Sequence, residues 1–584
     1  MIFTKPHIWR QISRRAYLEI ALLVLTILLI GSIIILSSVP PVSRDALTHH
    51  LAVPKLYLKH GGMYEIPSIV FSYYPPNLDL LYLIPLYFGN DIIPKFIHFA
   101  FALLTAWMIF SYLKVRLDAA YALSGGLFFL SLPVIVKLST TVYVDLGIAF
   151  FSTCALIYLL KWMENDFRIH YLIISAVSCG LALGSKYNGL IVLFILTLFV
   201  PFSYLCRKKG STGKKPDGPG ASFDVQFKAI GYAIIFCLVA LIIFSPWMIR
   251  NYVWKGNPIY PLYHNLFSLP SFGSTKVAGE NHKLASEKGS EQASVPKSTR
   301  WSSLAIRKLL YGESWWEIAL IPVRLFFQGQ DDDPRYFDGK LNPFLLILPI
   351  FAFVKLKNIP TNLRTEKTVF ASFAILYLLY ASFSATVRIR YIAPIIPPLI
   401  ILAMFGLHRI NAVFEENFFV RARKFAGVSL LALTAFMFGI NAAYLVGQFK
   451  HVDPFSYLSG RLDRDAYIER YRPEYAAIKY ANTNLPKQTR ILAIFLGNRL
   501  YYSEREMIFG DRFFQNSVER ATQHGDILAD LKQKKITHIL IRYDMFNNWS
   551  NRQLEENNKQ ILASFINSDM HRIFSKNGYG LYEL

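Results

Sequence analysis

The chain has 584 residues, 53% of them hydrophobic and only 17% charged, with a mean hydropathy of +0.32. That is too apolar for a soluble fold of this length and too long for one ordinary domain. The formal charge of +23 suggests nucleic acid, but its Lys and Arg stand largely in short runs between apolar segments, as at Arg14-Arg15, Arg207-Lys208-Lys209 and Arg421-Ala422-Arg423-Lys424. Such runs mark the cytoplasmic loops of a membrane protein, so nucleic-acid binding is set aside.

The first apolar run, Ala21 to Ser37, exceeds a signal-peptide core and lacks a cleavage site, so it reads as a retained anchor. A spanning helix needs roughly 20 mostly apolar residues, and by that measure about eleven spans are expected. They fall near 17–38, 92–113, 119–137, 145–162, 169–185, 189–205, 229–249, 342–354, 368–386, 391–408 and 426–447. With Lys5, Arg10, Arg14 and Arg15 in the cytoplasm, alternation sends Lys114/Arg116, Lys161/Arg168, the 206–228 loop, Lys355/Lys357 and Arg409/Arg421/Arg423/Lys424 to the same side. Segments 39–91, 250–341 and the tail then lie outside.

In the first external loop, Asp45-Ala-Leu-Thr-His-His-Leu-Ala-Val-Pro-Lys-Leu-Tyr-Leu58 has helical periodicity and reads as an amphipathic interfacial helix. Tyr73-Tyr-Pro-Pro-Asn-Leu-Asp79 reads as a rigid aromatic-proline turn. The polar stretch 270–300 reads as a mobile loop, and Asp331-Asp-Asp333 as a solvated acidic turn. Cys154, Cys179, Cys206 and Cys237 lie in or beside apolar stretches without metal-ligand spacing and read as core residues. In the tail, 490–496 and 536–542 alternate like strands, while 465–482, 517–534 and 552–567 have helical period. The fold class is therefore mainly α: a polytopic transmembrane helical domain, 1–447, followed by a small extracytoplasmic α/β domain, 448–584.

Ionisable groups at membrane depth are expensive and are candidates for function. Asp45 follows the first span and Asp145 heads the fourth. Lys186 lies in the turn between the fifth and sixth, Arg250 ends the seventh, and Arg390 with Tyr391 precedes the tenth. All fall on the external face. Transfer from a sugar phosphate to a hydroxyl needs a carboxylate base and cations for the leaving phosphate. Asp45 suits the first role, with Asp145 the second carboxylate of the site; Lys186, Arg250 and Arg390 suit the phosphate. His49, His50, Tyr74, Asn77, Asp79, Tyr187 and Tyr391 are the candidate substrate contacts. The bland alternatives are that the external Lys and Arg snorkel to headgroups, that Asp145 caps a helix, and that the histidines are interfacial hydrogen-bonders. No compact His/Glu cluster points to a cofactor; a dispersed divalent-metal site stays open.

Taken together, Asp45-Ala-Leu-Thr-His-His50, Tyr74-Pro-Pro-Asn-Leu-Asp79, Gly184-Ser-Lys-Tyr-Asn-Gly-Leu190, Pro246-Trp-Met-Ile-Arg-Asn251, Gly256-Asn-Pro258 and Arg390-Tyr391 resemble motifs of bacterial phospholipid-carrier-dependent glycosyltransferases. These are of the GT-C fold, alongside protein O-mannosyltransferases and the aminoarabinose transferases of lipid A. The resemblance implies a polyprenyl-phosphate-linked sugar donor, inverting transfer with Asp45 as the counterpart of the acidic catalytic residue of the first loop, an inner-membrane location and a periplasmic tail. Ala46 stands where O-mannosyltransferases carry a second acid, and Tyr74 where the aminoarabinose transferases carry a lysine before the proline pair. The acceptor, whether lipid, glycan or protein, is not specified. A transporter of lipid-linked saccharide is the competing reading; it calls for internal repeats and broken helices at the midplane, whereas here the charges lie at one face.

Overall fold

The computed structural model describes residues 6–211, 219–267, 303–354, 360–384, 387–417 and 420–584. The 270–300 stretch and Lys5, Lys355 and Lys357 of the basic loops lie outside them.

Helix α1 (Pro6–Ser37) is followed by a π-helical turn (Ala46–His50) and α2 (Ala52–His60), which Gly61 ends in the left-handed conformation at φ 81°. Then come α3 (Asn77–Tyr87), starting behind Pro75-Pro76, and α4 (Ile93–Arg116), with Pro94 in its first turn and Lys114 and Arg116 in its last. Asp118 caps α5 (Ala119–Ser131) through the Tyr121 N–H at 3.0 Å, and Pro133, which has no N–H to continue the ladder, starts α6 (Pro133–Ser139) at a 64° bend. The bundle continues with α7 (Asp145–Glu164), α8 (Ile169–Ser185), α9 (Gly189–Ser211) and α10 (Pro219–Lys255). Short helices α11 (His264–Phe267), α12 (Ser303–Tyr311), α13 (Trp315–Ala319) and α14 (Ile321–Phe327) precede α15 (Phe344–Phe351), α16 (Thr361–Ser384), α17 (Ile396–Asn417) and α18 (Val420–Val452).

Among the described residues eight helices are long and apolar enough to cross a membrane, or nine if the bent α5–α6 pair counts as one span. The chain is thus a multi-pass membrane protein, and every span expected from sequence coincides with a helix. The shortfall from eleven lies in two places. Helix α8 has 17 residues. Helix α15, between Pro343 and the turn after Phe351, has 8, about 12 Å at 1.5 Å per residue and too short to cross alone.

The bundle has an inside and an outside. Within the apolar windows, 72% of α7 is buried, and 83% of the segment that contains α17, against 28% of α1, 22% of α10 and 11% of α18. Without a hydrophobic force between helices in lipid, close approach depends on small residues. Gly406 of α17 faces the Leu348 carbonyl of α15, and Gly180 of α8 faces the Ala240 carbonyl of α10. At the end away from Asp145, Arg116 bridges Glu164 and Glu366 at 2.5 Å each, joining α4, α7 and α16.

After α18 follow α19 (Pro454–Leu458), α20 (Arg464–Tyr471), α21 (Tyr475–Asn484), β1 (Arg490–Ile494), β2 (Glu506–Phe509), α22 (Asp511–Arg520), α23 (His524–Gln533), β3 (His538–Arg542), α24 (Tyr543–Gln553), α25 (Glu556–Asp569), β4 (His571–Lys576) and β5 (Tyr579–Glu583). The sheet order is β2-β1-β3-β5-β4, with β1 parallel to β2 and β3, and β5 antiparallel to β3 and β4. The two apolar runs seen in the sequence are β1 and β3, whose register pairs Leu492 with Ile539. The expected helix at 465–482 is two helices, because Pro473 cannot continue the ladder from α20.

This C-terminal region grips the first loop. The N–H groups of Leu500 and Tyr501 donate to the Leu47 carbonyl at 3.2 and 3.1 Å, and Tyr502 Oη donates to Pro41 O at 2.8 Å. Lys55 reaches Tyr501 O at 2.7 Å and Glu504 at 2.6 Å, while Asp91 takes Arg464 at 2.5 Å and the Tyr501 hydroxyl at 3.2 Å. The expected interfacial helix is thus partly covered: Leu47 and Leu51 are buried with Tyr501 in one apolar cluster.

Because a side chain at position 406 would overlap backbone and not a movable side chain, Gly406→Ala should destabilise the α15–α17 contact by about 1–3 kcal/mol. The check is a lower Tm of the detergent-solubilised chain; an unchanged Tm would contradict this packing.

Candidate active site

The corner before α7 sets the position of Asp145. His98 of α4, fully buried, contacts the carbonyls of Leu138 and Thr141 through Nδ1 at 2.9 and 3.1 Å, and its Nε2 accepts the Leu146 N–H at 3.0 Å. An Nε2 that accepts leaves the proton on Nδ1, so the ring ties the end of α6 to the first turn of α7. Asp145, 1% exposed, there receives Lys186 Nζ at 2.6 Å. Lys186 ends α8, and its ammonium lies 4.9 Å from the centre of the Tyr391 ring. The Tyr391 carbonyl accepts from Tyr377 Oη at 3.0 Å and Asn188 Nδ2 at 3.3 Å, which fixes the segment before α17 against the α8–α9 turn.

Asp45 precedes the π-helical turn and holds Arg390 Nη2 at 2.6 Å. The Arg390 guanidinium lies 4.8 Å from the Tyr143 ring and 5.6 Å from the Tyr391 ring, and among the described residues its buried Nε has no hydrogen-bond partner. Two ion pairs therefore flank one aromatic ring, that of Tyr391. Burial works to raise the Asp45 carboxyl, but Arg390, with His49 and His50 behind it, holds the group well below the usual carboxylate range.

The other first-loop candidates form a neutral patch beside this pair. His50 Nδ1 and Asp79 Oδ1, the latter on α3, are 2.8 Å apart. Burial pushes the Asp79 carboxyl up to about 8, with His49 opposing, and pushes the imidazoles of His49 and His50 down to about 3. At neutral pH the carboxyl keeps its proton and both rings are uncharged. His49 stacks on Phe71 at 4.4 Å and meets the Thr48 hydroxyl at 2.9 Å.

Arg250 belongs to an adjoining network. Its Nη2 donates to the carbonyls of Tyr73 and Tyr74 at 2.7 and 3.1 Å, its Nε to Asn251 Oδ1 at 3.1 Å, and its guanidinium lies 5.1 Å from both Trp247 and Trp254. Among the described residues no carboxylate pairs with it. Buried Asn251 meets Tyr187 Oη at 3.0 Å, and Tyr74 and Tyr187 pack edge-on at 5.2 Å. Asn77 does not sit in a free turn but starts α3 and accepts from Trp247 Nε1 at 2.8 Å. It approaches α8 at Gly184, where any Cβ would overlap its amide.

The structure thus brings Asp45, Asp145, Lys186, Arg390, His49, His50, Asp79 and Tyr391 together, and sets Arg250, Tyr74, Asn77 and Tyr187 beside them. It also shows that Lys186 and Arg390 are already matched by carboxylates. Sequence reading missed His98, Tyr143, Asn188 and Asn251 as site residues. The last three sit within two positions of Asp145, Lys186 and Arg250, which was the available signal, whereas His98 is a lone histidine inside an apolar span. The Asp331 turn is not simply solvated: Asp331 lies 3.2 Å from Lys137 and takes the Tyr444 hydroxyl at 2.6 Å, while Asp338 pairs with Arg388 at 3.2 Å. Among the described residues no three His, Cys, Asp or Glu side chains gather as a metal-ligand group.

The fold, an apolar helical bundle followed by a small sheet region, is of the GT-C type. It is found in ArnT from Cupriavidus metallidurans, which in its apo state superposes with a TM-score of 0.55 at 14% identity over 98% of both chains. The same protein bound to undecaprenyl phosphate gives 0.52 at 13% identity over 96% of this chain and 97% of that one. The Archaeoglobus fulgidus oligosaccharyltransferase tethered to an acceptor peptide containing the NVT sequon gives 0.50 at 12% identity, covering 91% of this chain and 69% of that one. At these identities the likeness is one of fold. Residues 87–214 match the family described as dolichyl-phosphate-mannose-protein mannosyltransferase. No curated protein matches.

Lys186→Ala would strand the buried Asp145 carboxylate, at a cost of about 3–5 kcal/mol. A fall in Tm that Asp145→Asn/Lys186→Met largely restores is the expected result. If the single and double variants melt alike, the pair is not what holds this corner.

Proposed function

We propose that the chain is a membrane glycosyltransferase that moves a sugar from a polyprenyl-phosphate-linked donor to an acceptor on the extracytoplasmic face, with Asp45 as general base. The observation that carries this is convergence. Asp45, Asp145, Lys186, Arg250 and Arg390 come from five separated parts of the chain and meet at the ends of helices, on the side where the C-terminal region docks. A polyprenyl tail lying in the bilayer delivers its phosphate at that depth. The match over residues 87–214 and a fold shared with a protein that binds undecaprenyl phosphate support the reading.

In this mechanism Asp45 takes the proton of the acceptor O–H while the acceptor oxygen bonds to the anomeric carbon from the side opposite the phosphate. The bond from that carbon to the phosphate oxygen breaks, and the phosphate leaves with the electron pair as free polyprenyl phosphate, so the anomeric configuration inverts. Arg250, which no carboxylate neutralises among the described residues, is the first phosphate contact, and Lys186 and Arg390 flank it. Asp145 holds Lys186 in place. The neutral His50–Asp79 pair, with His49, Tyr74, Asn77, Tyr187 and Tyr391, offers uncharged donors and acceptors to sugar hydroxyls. The N-terminus is cytoplasmic, and residues 448–584 form an extracytoplasmic, periplasmic domain in an inner-membrane protein.

Purified wild type and Asp45→Asn, supplied with polyprenyl-phosphate sugars, test this through release of free polyprenyl phosphate. The variant should lose about 10²–10⁴-fold of the rate. No donor consumption by wild type, or full activity in the variant, would refute the mechanism. Arg250→Ala should raise the donor KM about tenfold or more, the loss of one charge-assisted contact; unchanged donor kinetics would remove it from the phosphate site.

A further inference from the structure

Two of the three cations assigned to the donor phosphate are already taken. Arg390 gives Nη2 to Asp45 at 2.6 Å, and Lys186 gives its ammonium to Asp145 at 2.6 Å. A phosphate entering the site therefore competes with a carboxylate for each, and the two pairs are not equivalent. The Asp145 side chain is 2% exposed, so moving Lys186 away would leave a buried charge alone. The Asp45 side chain is 20% exposed, ten times the exposure of Asp145, and meets Arg390 at Nη2.

Arg390 itself is incompletely satisfied. Its Nε–H is buried and has no acceptor among the described residues, a condition rare enough in folded proteins to ask for a reason. The edge formed by Nε and a terminal nitrogen is the one that grips a phosphate with two parallel bonds. The rings of Tyr143 and Tyr391, 4.8 and 5.6 Å away, can hold the guanidinium by cation–π attraction when it is not on the carboxylate.

We propose that Arg390 is handed from Asp45 to the donor phosphate, so that Asp45 becomes an effective base only once the donor is bound. The proposal rests on the donor reading above and adds an order to it. While paired, Asp45 is too weak a base to take an acceptor proton efficiently, since Arg390, ahead of His49 and His50, holds its carboxyl down against burial. When the guanidinium turns to the phosphate, the largest of these opposing groups is gone and the carboxylate strengthens as a base. The other groups facing Asp45 do not mask this change. His49 and His50 on its own turn are uncharged near neutral pH, Asp79 from α3 is protonated there, Asp145 and Lys186 offset each other, and Tyr143 and Tyr391 are phenols. After transfer, departure of polyprenyl phosphate lets Arg390 return. The re-formed pair expels the proton that Asp45 took from the acceptor, and the site is reset with protons balanced.

The test is an infrared titration of the Asp45 carboxyl on the purified full chain, with and without undecaprenyl phosphate, the band being identified by its loss in Asp45→Asn. The midpoint should rise by about 1–3 pH units when the lipid phosphate is added. In Arg390→Gln it should be raised already and rise no further. Should that variant not fold, Arg390→Lys, which keeps the charge but lacks the Nε–H and the fork, should show a smaller rise than wild type. Binding of the lipid phosphate, followed in parallel by co-purification of labelled lipid, separates the two readings. Binding without a shift overturns the hand-off and leaves the donor reading standing, whereas no binding overturns both.

Discussion

A carboxylate taken out of water must be matched by a cation or give up its charge, and the active end of this protein is organised by that constraint. Asp145 heads α7, one of the two most enclosed helices of the bundle, where an unmatched charge would be ruinous. Lys186 supplies the match, and to do so the α8–α9 turn must lie against the segment before α17, which brings Arg390 beside Asp45. One electrostatic requirement thereby positions residues from three parts of the chain, and the aromatic ring of Tyr391 is shared between the two pairs.

The arrangement also shows how one site keeps carboxyl groups in different states. Asp45 and Asp145 stand beside cations, whereas Asp79, paired only with a histidine, is left to burial and keeps its proton at neutral pH. The division follows from which partner lies within reach of each oxygen and needs no difference in side-chain type.

Much of this was legible in the amino-acid order. Lipid imposes a length and a composition on each span, so Asp45, Asp145, Lys186, Arg250 and Arg390 were visible as charges at span ends. What the linear order withheld was pairing. Nothing local joins Asp45 to Arg390 or Asp145 to Lys186, and an isolated lysine at a helix end looks the same whether it snorkels or is matched. His98 was hidden for a similar reason, since a lone polar residue inside an apolar run carries no sign of the backbone groups it will meet. Strands β2, β4 and β5 escaped because they are short or exposed on both faces, without the apolar run that betrayed β1 and β3. The eighth span is short already in the sequence, and Pro343 and the turn after Phe351 cut it to the eight residues of α15.

The π-helical turn that follows Asp45 leaves the Leu47 carbonyl to be filled by the backbone of Leu500 and Tyr501, and the same loop holds Lys55 across a separation of 446 positions. A chain synthesised from its N-terminus therefore carries Asp45 through the whole of biosynthesis on a turn whose hydrogen bonds are not yet closed. Only when the last segment has been made and has reached the same side of the membrane is the first loop complete. Folding of the first loop and completion of the chain are thus coupled, and a partly made chain is one whose Asp45 turn still lacks its clasp.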